Sequence, residues 1–473
     1  MATTRSKAIN LAHQTEGTQF LNDNTAAALF DEQGLGKSKQ VIDAMVAQIG
    51  ERSIDAALIV CPNGLKTNWA EEVEKFSNLR YAVFGSGRSE RRLAFGSLKA
   101  SFYVINYEAV AVELASLKAL LRFKRIALVL DESHRIKTPD AKTTRAVLAL
   151  RGLAARRYIL SGTPVANKPE DMWSQMLFLD DGQALGASFE QFKKHYGSGT
   201  SGYRNLDQLR ERVASRSMRR LKAGTIALPG KHIRRIGVTL EGIQAKMYAT
   251  MKSELALWVR ATDGQAVVAS AEAVLARLAR LAQLASNPGL IDASYADVPA
   301  KFQVLDDLLS TYFVNPDQKI LLWTSYVENI EALLDRYAQW HPVCIHGAVS
   351  MEQRDAAVRS FKTDLSTRLL IANPAAAREG LTLTEANVAI YLDRTFNLVD
   401  YLQSQDRIHR ISQTRECEII LLVAQNTVDE FIDFSLEQKL RLAQYSQNDS
   451  HAITPDDMLL TKPEVLRELI QKF

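Results

Sequence analysis

Apolar and polar positions along this chain form two alternating regions separated by a stretch of different texture. In the first region, short apolar runs stand at Ala26–Phe30, Ala56–Val60, Phe102–Ile105, Ile126–Leu130 and Tyr158–Leu160. Runs this short and this uniformly apolar are expected of strands buried on both faces. Amphipathic segments such as Ser38–Ile49 and Asn68–Phe76 lie between most of them. Strands alternating with helices predict a parallel sheet covered by helices. All but the third run are closely followed by Gly, Pro or acidic residues, and chemistry in open parallel sheets sits beyond the carboxyl ends of the strands. A second alternating set begins near residue 300, with Lys319–Trp323, Arg368–Ala372 and Val388–Leu392 as its clearest strands. Residues 181–300 read as mainly helical, interrupted by a Gly/Ser-rich loop, Gly197–Gly202. The expected organisation is a first α/β lobe over 1–180, a helical segment over 181–300, a second lobe over 301–445 and a helical tail over 446–473. No internal repeat of fixed 20–50-residue period is present.

Composition changes this picture little. The chain has 473 residues, room for about three domain-sized units, with ordinary apolar (47%) and charged (24%) fractions. A formal net charge of +4 neither demands nor excludes a nucleic-acid partner. The charge is uneven, however. Residues 204–236 hold ten Lys or Arg against two acids, Asp207 and Glu211. Such a run serves either as a solvated face or as a phosphate contact. Cys61, Cys344 and Cys417 are far apart and fit no zinc spacing, so reduced thiols are expected. No apolar run follows Arg5 and Lys7, and the most apolar helical tract, Ala266–Ala285, is broken by Glu272, Arg277 and Arg280. Neither a signal peptide nor a membrane span is therefore expected, and the location is expected to be cytoplasmic.

Three clusters carry chemistry. Asp31-Glu32-Gln33-Gly34-Leu35-Gly36-Lys37-Ser38 follows an apolar strand and opens a helix, the context of a phosphate loop. Glycines let backbone amides turn toward phosphates, and the helix start adds positive potential. Lys37 is expected to reach the β- and γ-phosphates of ATP, and the Ser38 hydroxyl to ligate Mg²⁺. Asp31 stands where the full pattern has its first Gly. The second cluster is Asp131-Glu132-Ser133-His134, directly after the apolar run Ile126–Leu130. Two carboxylates at a buried strand end call for a compensating cation. Asp131 would hold Mg²⁺ and Glu132 would deprotonate the attacking water. The third is Gln403-Ser404-Gln405-Asp406-Arg407-Ile408-His409-Arg410. On a helix, Gln403, Asp406, Arg407 and Arg410 share one face. Arg410, with Arg407 beside it, is expected to act as an arginine finger on the γ-phosphate, worth on the order of 10³–10⁵ in rate. Loop and acids on one lobe and finger on the other would let ATP close the cleft between them and hydrolysis open it.

Together these residues resemble the Swi/Snf-type ATPases of helicase superfamily two, from about Gln14 to about Thr427. The loop is similar to the family's D-E-x-G-L-G-K-T, with Ser38 for Thr, which also accounts for Asp31. Asp131–His134 resembles its D-E-x-H, and Ser161-Gly162-Thr163-Pro164 its S-G-T-P. Gln403–Gln413 resembles its Q-x-x-D-R-x-H-R-x-x-Q. Met218-Arg219-Arg220-Leu221-Lys222 followed by Leu228-Pro229-Gly230-Lys231 resembles its L-R-R-x-K…L-P-x-K, continued by Gln244 and Tyr248. Ser286-Asn287-Pro288 stands at its N-H-P. Ala377–Leu383 departs from its G-G-x-G-L-N-L, keeping Gly380 and the leucines but placing Thr382 at the Asn, and Phe396-Asn397-Leu398 departs from Trp-Asn-Pro.

The resemblance implies an α/β fold of two RecA-like parallel-sheet lobes with helical protrusions between and on them. It implies that Gln14, near Gly17, reads adenine and that Gly34, Leu35, Gly36 and Gly380 line the nucleotide. It implies strand contacts by Asn63 and Lys66 in the block running to Trp69, by Asn106 beside Tyr107, and by Thr163. In the second lobe it implies contacts by Ser325, His346, Gly347, Arg354 and Thr382. The implied partner is double-stranded DNA, tracked without strand separation by a monomeric, nucleoid-associated motor of unknown recruiting partner. No added targeting module is visible; Asp-Glu-Ser-His and the compact size are similar to the HARP-like annealing helicases, and a bacterial or viral member is expected. Two rivals stand beside this reading. A strand-separating DNA or RNA helicase would need a wedge hairpin, and no N-G or D-G hairpin occurs in the second lobe. A non-catalytic ATP-binding scaffold is disfavoured by the intact Lys37, Asp131, Glu132 and Arg410.

Overall fold

A computed structural model describes residues 9–85, 87–97, 99–165, 167–197, 203–261, 271–376, 381–447 and 449, of which 256–261 and 271–275 are described by their backbone alone. Gly380, most of the Gly/Ser-rich loop and nearly all of the expected C-terminal tail lie outside these residues. The chain divides into two compact units: Met1–Ala227 together with the segment that begins at Lys439, and Leu228–Gln438.

The first unit is built on a seven-stranded sheet. Its strands are β1 (Ala26–Leu29), β2 (Ala56–Cys61), β3 (Tyr81–Val83), β4 (Phe102–Asn106), β5 (Ile126–Asp131), β6 (Arg156–Leu160) and β7 (Ser217–Met218). Their order is β3-β4-β2-β5-β6-β1-β7, every pairing parallel. The five expected runs all became strands, because parallel strands covered on both faces need unbroken apolar sequence. Leu58, Ile59, Leu128 and Val129 are wholly buried, each worth about 1.5–3 kcal/mol of transfer free energy. This order sets β5, β6 and β1 side by side, so the loops after Asp131, Leu160 and Leu29 emerge together at one edge.

The second unit holds a six-stranded parallel sheet. Its strands are β8 (Lys231–Val238), β9 (Ile320–Trp323), β10 (Val343–Ile345), β11 (Leu369–Ala372), β12 (Val388–Tyr391) and β13 (Cys417–Ala424), in the order β10-β11-β9-β12-β13-β8. Apolar clusters pack on both faces, one around Leu305, Leu322 and Ile390, the other around Leu321, Phe361 and Ile419. Two strands, β7 and β8, lie within the stretch expected to be mainly helical. β8 carries Lys231, His232, Arg234 and Arg235 and is mostly exposed; it closes the sheet edge with charge, which discourages further strand pairing. Helices Gly242–Ala261 and Ala271–Ser286 fill much of the rest. The three cysteines are free. Among the described residues no helix is long and apolar enough to cross a membrane.

Candidate functional site

The phosphate loop leaves β1 and enters helix Lys37–Gly50. Gly34 and Gly36 take φ of 86° and 75°, where a side chain would be strained. A Cβ on Gly36 would also stand 2.5 Å from Gln14 Nε2, so the loop passes directly against the residue expected to read adenine. Helix Ala12–Asp23, which carries Gln14, is pinned to the loop by His13 Nε2 and the Leu35 carbonyl, 3.0 Å apart. Lys37 Nζ donates to the carbonyls of Asp31 (2.7 Å) and Glu32 (3.3 Å). Burial lowers its pKa, while Glu132, Asp31 and Asp131 act in the opposite sense. Ser38 is half-buried in the first turn of the helix.

The acidic pair stands at the end of β5. Asp131 is buried; its Oδ2 accepts from Trp69 Nε1 at 2.8 Å and its Oδ1 from the Glu132 amide at 3.0 Å. The Tyr107 hydroxyl donates to its carbonyl at 2.7 Å. Burial, then the adjacent Glu132, pushes the Asp131 pKa up to about 7. Glu132 itself has a φ of 50°, a left-handed conformation uncommon for a residue with a side chain and often found at functional sites. Its Oε2 lies 3.3 Å from His134 Nδ1, which in turn is 3.4 Å from Ser161 Oγ. Ser133 Oγ donates to Gln175 Oε1 (2.6 Å), and Gln175 Nε2 donates to the Pro164 carbonyl (2.8 Å). The acidic box and the S-G-T-P loop are thus joined twice.

Asp31, at the position of the missing glycine, is fully buried and receives a two-pronged contact from Arg220, Nε to Oδ1 at 3.0 Å and Nη2 to Oδ2 at 2.6 Å. Arg220 continues to Gln40 Oε1 (2.8 Å) and to the His13 carbonyl. Arg219 donates to the carbonyls of Phe30 (2.5 Å) and Gly162 (3.2 Å) and pairs with Asp449. The Lys222 amide donates to Glu32 Oε2 at 2.7 Å. This part of the basic run is a clamp on the phosphate loop. Much of the remainder is also paired within the chain: Arg210 with Asp207, Arg216 with Asp180, Arg234 with Glu418, Arg235 with Asp433. Sequence reasoning read Arg219 and Arg220 as part of a solvated face or phosphate contact and Trp69 as part of the implied strand-contact block, and gave His134 no role. The one usable signal was Asp31, since an acid in a buried loop requires a cation.

The residues expected to touch the tracked strand in this unit sit at strand ends. Asn63 is exposed in the turn after β2, and Asn106 ends the neighbouring β4, with its amide on Glu108 Oε2 at 2.8 Å. Lys66 is buried with Nζ on the Phe84 carbonyl (2.9 Å). Thr163 is buried in the S-G-T-P loop. Trp69 is a core residue that holds Asp131.

In the second unit, helix Leu398–Gln405 stops before Asp406. The expected helical face over Gln403, Asp406, Arg407 and Arg410 is therefore corrected: only Gln403 is helical. Turn bonds from the Arg407 amide to the Ser404 carbonyl and from the Ile408 amide to the Gln405 carbonyl end the helix. Ile408 is wholly buried, and Gln413 Nε2 satisfies the carbonyls of Thr384, Ala386 and Ile408. Arg407 is buried and donates to the carbonyls of Gln403 (2.9 Å) and Leu381 (3.0 Å). Arg410 is half-buried, with Nη1 on Thr382 Oγ1 at 2.8 Å. His409 Nε2 meets the Pro229 carbonyl (3.0 Å) and Lys231 Nζ meets Gln405 Oε1 (3.1 Å), joining the L-P-x-K and Q-x-x-D-R-x-H-R segments. Asp393 organises the end of β9, accepting from Thr324 Oγ1 (2.7 Å), the Ser325 amide (2.7 Å) and Ser286 Oγ (2.9 Å). His346 and Gly347 follow β10, and Arg354 donates to the Ala376 carbonyl at 2.6 Å.

Residues 13–290 match the SNF2-related domain and residues 300–412 the helicase conserved C-terminal domain. The chain is 26% identical over 454 residues to chromodomain-helicase-DNA-binding protein 1-like of Danio rerio, covering 91% of this chain and 43% of that protein. It is 26% identical over 465 residues to the SWI/SNF-related matrix-associated actin-dependent regulator of chromatin subfamily A-like protein 1 homolog of Caenorhabditis elegans, covering 95% and 63%. It thus spans about half the length of the curated relatives it matches. Among solved structures it is similar to the Sulfolobus solfataricus SWI2/SNF2 ATPase core in complex with dsDNA, at 26% identity, 100% and 98% coverage and a TM-score of 0.46. With family matches on both units, and the acidic box and S-G-T-P residues gathered beside the phosphate loop of the first, the chain belongs to the SNF2-related family, the Swi/Snf-type, ATP-hydrolysing enzymes of helicase superfamily two.

Proposed function

We propose that this chain is a motor that hydrolyses ATP to translocate along double-stranded DNA without separating its strands. One observation carries the chemical half. A glycine-built phosphate loop with Lys37 and a crowded acid pair, Asp131 and Glu132, belong to one sheet edge, and burial and mutual repulsion hold Asp131 near pKa 7. Such a site is short of positive charge at the acids and rich in donors at the loop, which suits a triphosphate with a divalent cation. Ser38 and Asp131 would hold Mg²⁺, which when bound neutralises phosphate charge. Glu132 takes the proton of the attacking water, and its contact with His134 orients it. Lys37 leaves the loop carbonyls for the phosphates. Gln14, against Gly36, reads the base. Arg410 meets the terminal phosphate during turnover, and Arg407 holds the Leu381 segment that presents Thr382 to it.

Duplex DNA as the track is supported by the family and by Asn63 and Asn106 at strand ends; Thr163 is buried and is not counted among these contacts. Ser325, His346, Gly347, Arg354 and Thr382 complete the proposed contacts. Lys66 is the least suited of the set, since its ammonium is satisfied inside the protein. The test sets triplex-strand displacement beside fork unwinding on matched substrates. ATP-dependent triplex displacement without unwinding is expected; unwinding without triplex displacement would reverse the assignment.

A further inference from the structure

Gln33, the variable residue of the phosphate loop, has no role in the scheme above, yet its setting is unusual. It is 8% exposed, and neither its Oε1 nor its Nε2 has a hydrogen-bond partner among the described residues. The hydroxyl of Thr163, also 8% exposed, is in the same state. A buried carboxamide left unsatisfied is costly, and such groups in native proteins point to a missing ligand or water. Gln33 lies across the S-G-T-P loop. A Cβ on Gly162 would stand 2.6 Å from Gln33 Cγ and 3.2 Å from its backbone nitrogen. Only a glycine fits beneath Gln33.

The sheet order narrows what that ligand can be. β6 lies between β5 and β1, so the loop after β6, with Gly162 and Thr163, stands between the acids and the phosphate loop. The inner phosphates belong at the helix start beyond Gly34. A group before Gly34, lying against the β6 loop, would face the end of a triphosphate held between the loop and Glu132. A carboxamide offers a donor for a phosphate oxygen and an acceptor for a water or hydroxyl. We infer that the Gln33 carboxamide, together with the Thr163 hydroxyl, binds the terminal phosphate and so makes the loop discriminate nucleoside triphosphate from diphosphate. This rests on the nucleotide-binding reading above.

The experiment measures ATPγS and ADP affinities by calorimetry for the full chain, wild type, Gln33→Met and Thr163→Val, all with Mg²⁺. Met keeps the bulk and removes the hydrogen bonds. Losing a hydrogen bond to a charged group predicts at least ~10-fold weaker ATPγS binding for Gln33→Met with ADP affinity held within about twofold. Thr163→Val is expected to show the same selectivity. With nucleotide absent, amides of β1 in Gln33→Met exchange no faster than in wild type, because an unsatisfied amide has been replaced by apolar atoms. Equal losses for both nucleotides, or undiminished ATPγS binding in both variants, overturn the inference while leaving the parent reading intact. A wild-type chain that binds neither nucleotide overturns the parent reading itself.

Discussion

Arg220→Met removes the cation from a fully buried carboxylate. Asp31 has no exposure, and Arg220 meets it through two contacts at 3.0 and 2.6 Å while also holding Gln40 and helix Ala12–Asp23. Breaking a buried pair by deleting one partner costs about 3–5 kcal/mol, most of it the uncompensated charge left behind. Asp31→Asn in the same chain removes that charge, and the Gln40 Nε2 contact with Asp31 Oδ2 (3.2 Å) survives on an amide oxygen. The pair should therefore couple by roughly 2–3 kcal/mol in a double-mutant cycle. With two compact units, one melting midpoint is not a well-defined stability. Amide hydrogen exchange in β1 and helix Lys37–Gly50 reads this unit alone. A loss of 3–5 kcal/mol accelerates exchange there by roughly 10²–10⁴. The double variant should recover at least tenfold of this. Protection within threefold of wild type in Arg220→Met, or a double variant as labile as the sum of the singles, would refute the clamp.

Glu132→Gln should bind ATP with wild-type affinity and lose turnover by at least ~10²-fold, read by calorimetry and a phosphate-release assay; undiminished hydrolysis refutes its assignment as base. Arg410→Ala should likewise keep nucleotide affinity within a few-fold and lose ~10³ or more in kcat, and a change confined to KM would argue for a binding role instead. Asp131 gives a pH signature in the nucleotide-free protein. Its folded pKa of about 7 lies above the unfolded 3.8, so the folded state binds the extra proton and stability falls as pH rises through that window. The loss of amide protection in β5 between pH 6 and 8, corrected for the intrinsic pH dependence of exchange, should be smaller in Asp131→Asn than in wild type, and equal losses would contradict the crowding.

The parts of the fold legible in sequence were those where burial on both faces forces unbroken apolar runs, as in β1, β2, β5, β9 and β12. β3 is a short, partly exposed edge strand, and β7 has two residues. β8 carries the basic side chains Lys231, His232, Arg234 and Arg235 because it closes an edge, so neither a period of two nor continuous apolarity marks it. The nucleotide loop and the acid pair were legible because their chemistry needs fixed residues at fixed local spacing. The clamp was not: Arg219 and Arg220 lie far along the chain from Asp31 and reach it only because β7 pairs with β1, placing Met218 beside Leu29. Trp69 has the same history. Its helix packs so that the indole meets Asp131, a contact between distant residues that no spacing announces. Helix Leu398–Gln405 shows the opposite failure: its polar periodicity continues past Gln405, but the pull of Ile408 into the core bends the chain out of the helix.

The central claim is that nucleotide turnover is coupled to a duplex track. The most direct measurement is steady-state ATPase rate of the full chain with duplex DNA, single-stranded DNA and RNA at equal nucleotide concentration and fixed salt. Stimulation greatest with duplex DNA and lost in Glu132→Gln is the predicted result. Equal or stronger stimulation by RNA or by single strands would contradict the account.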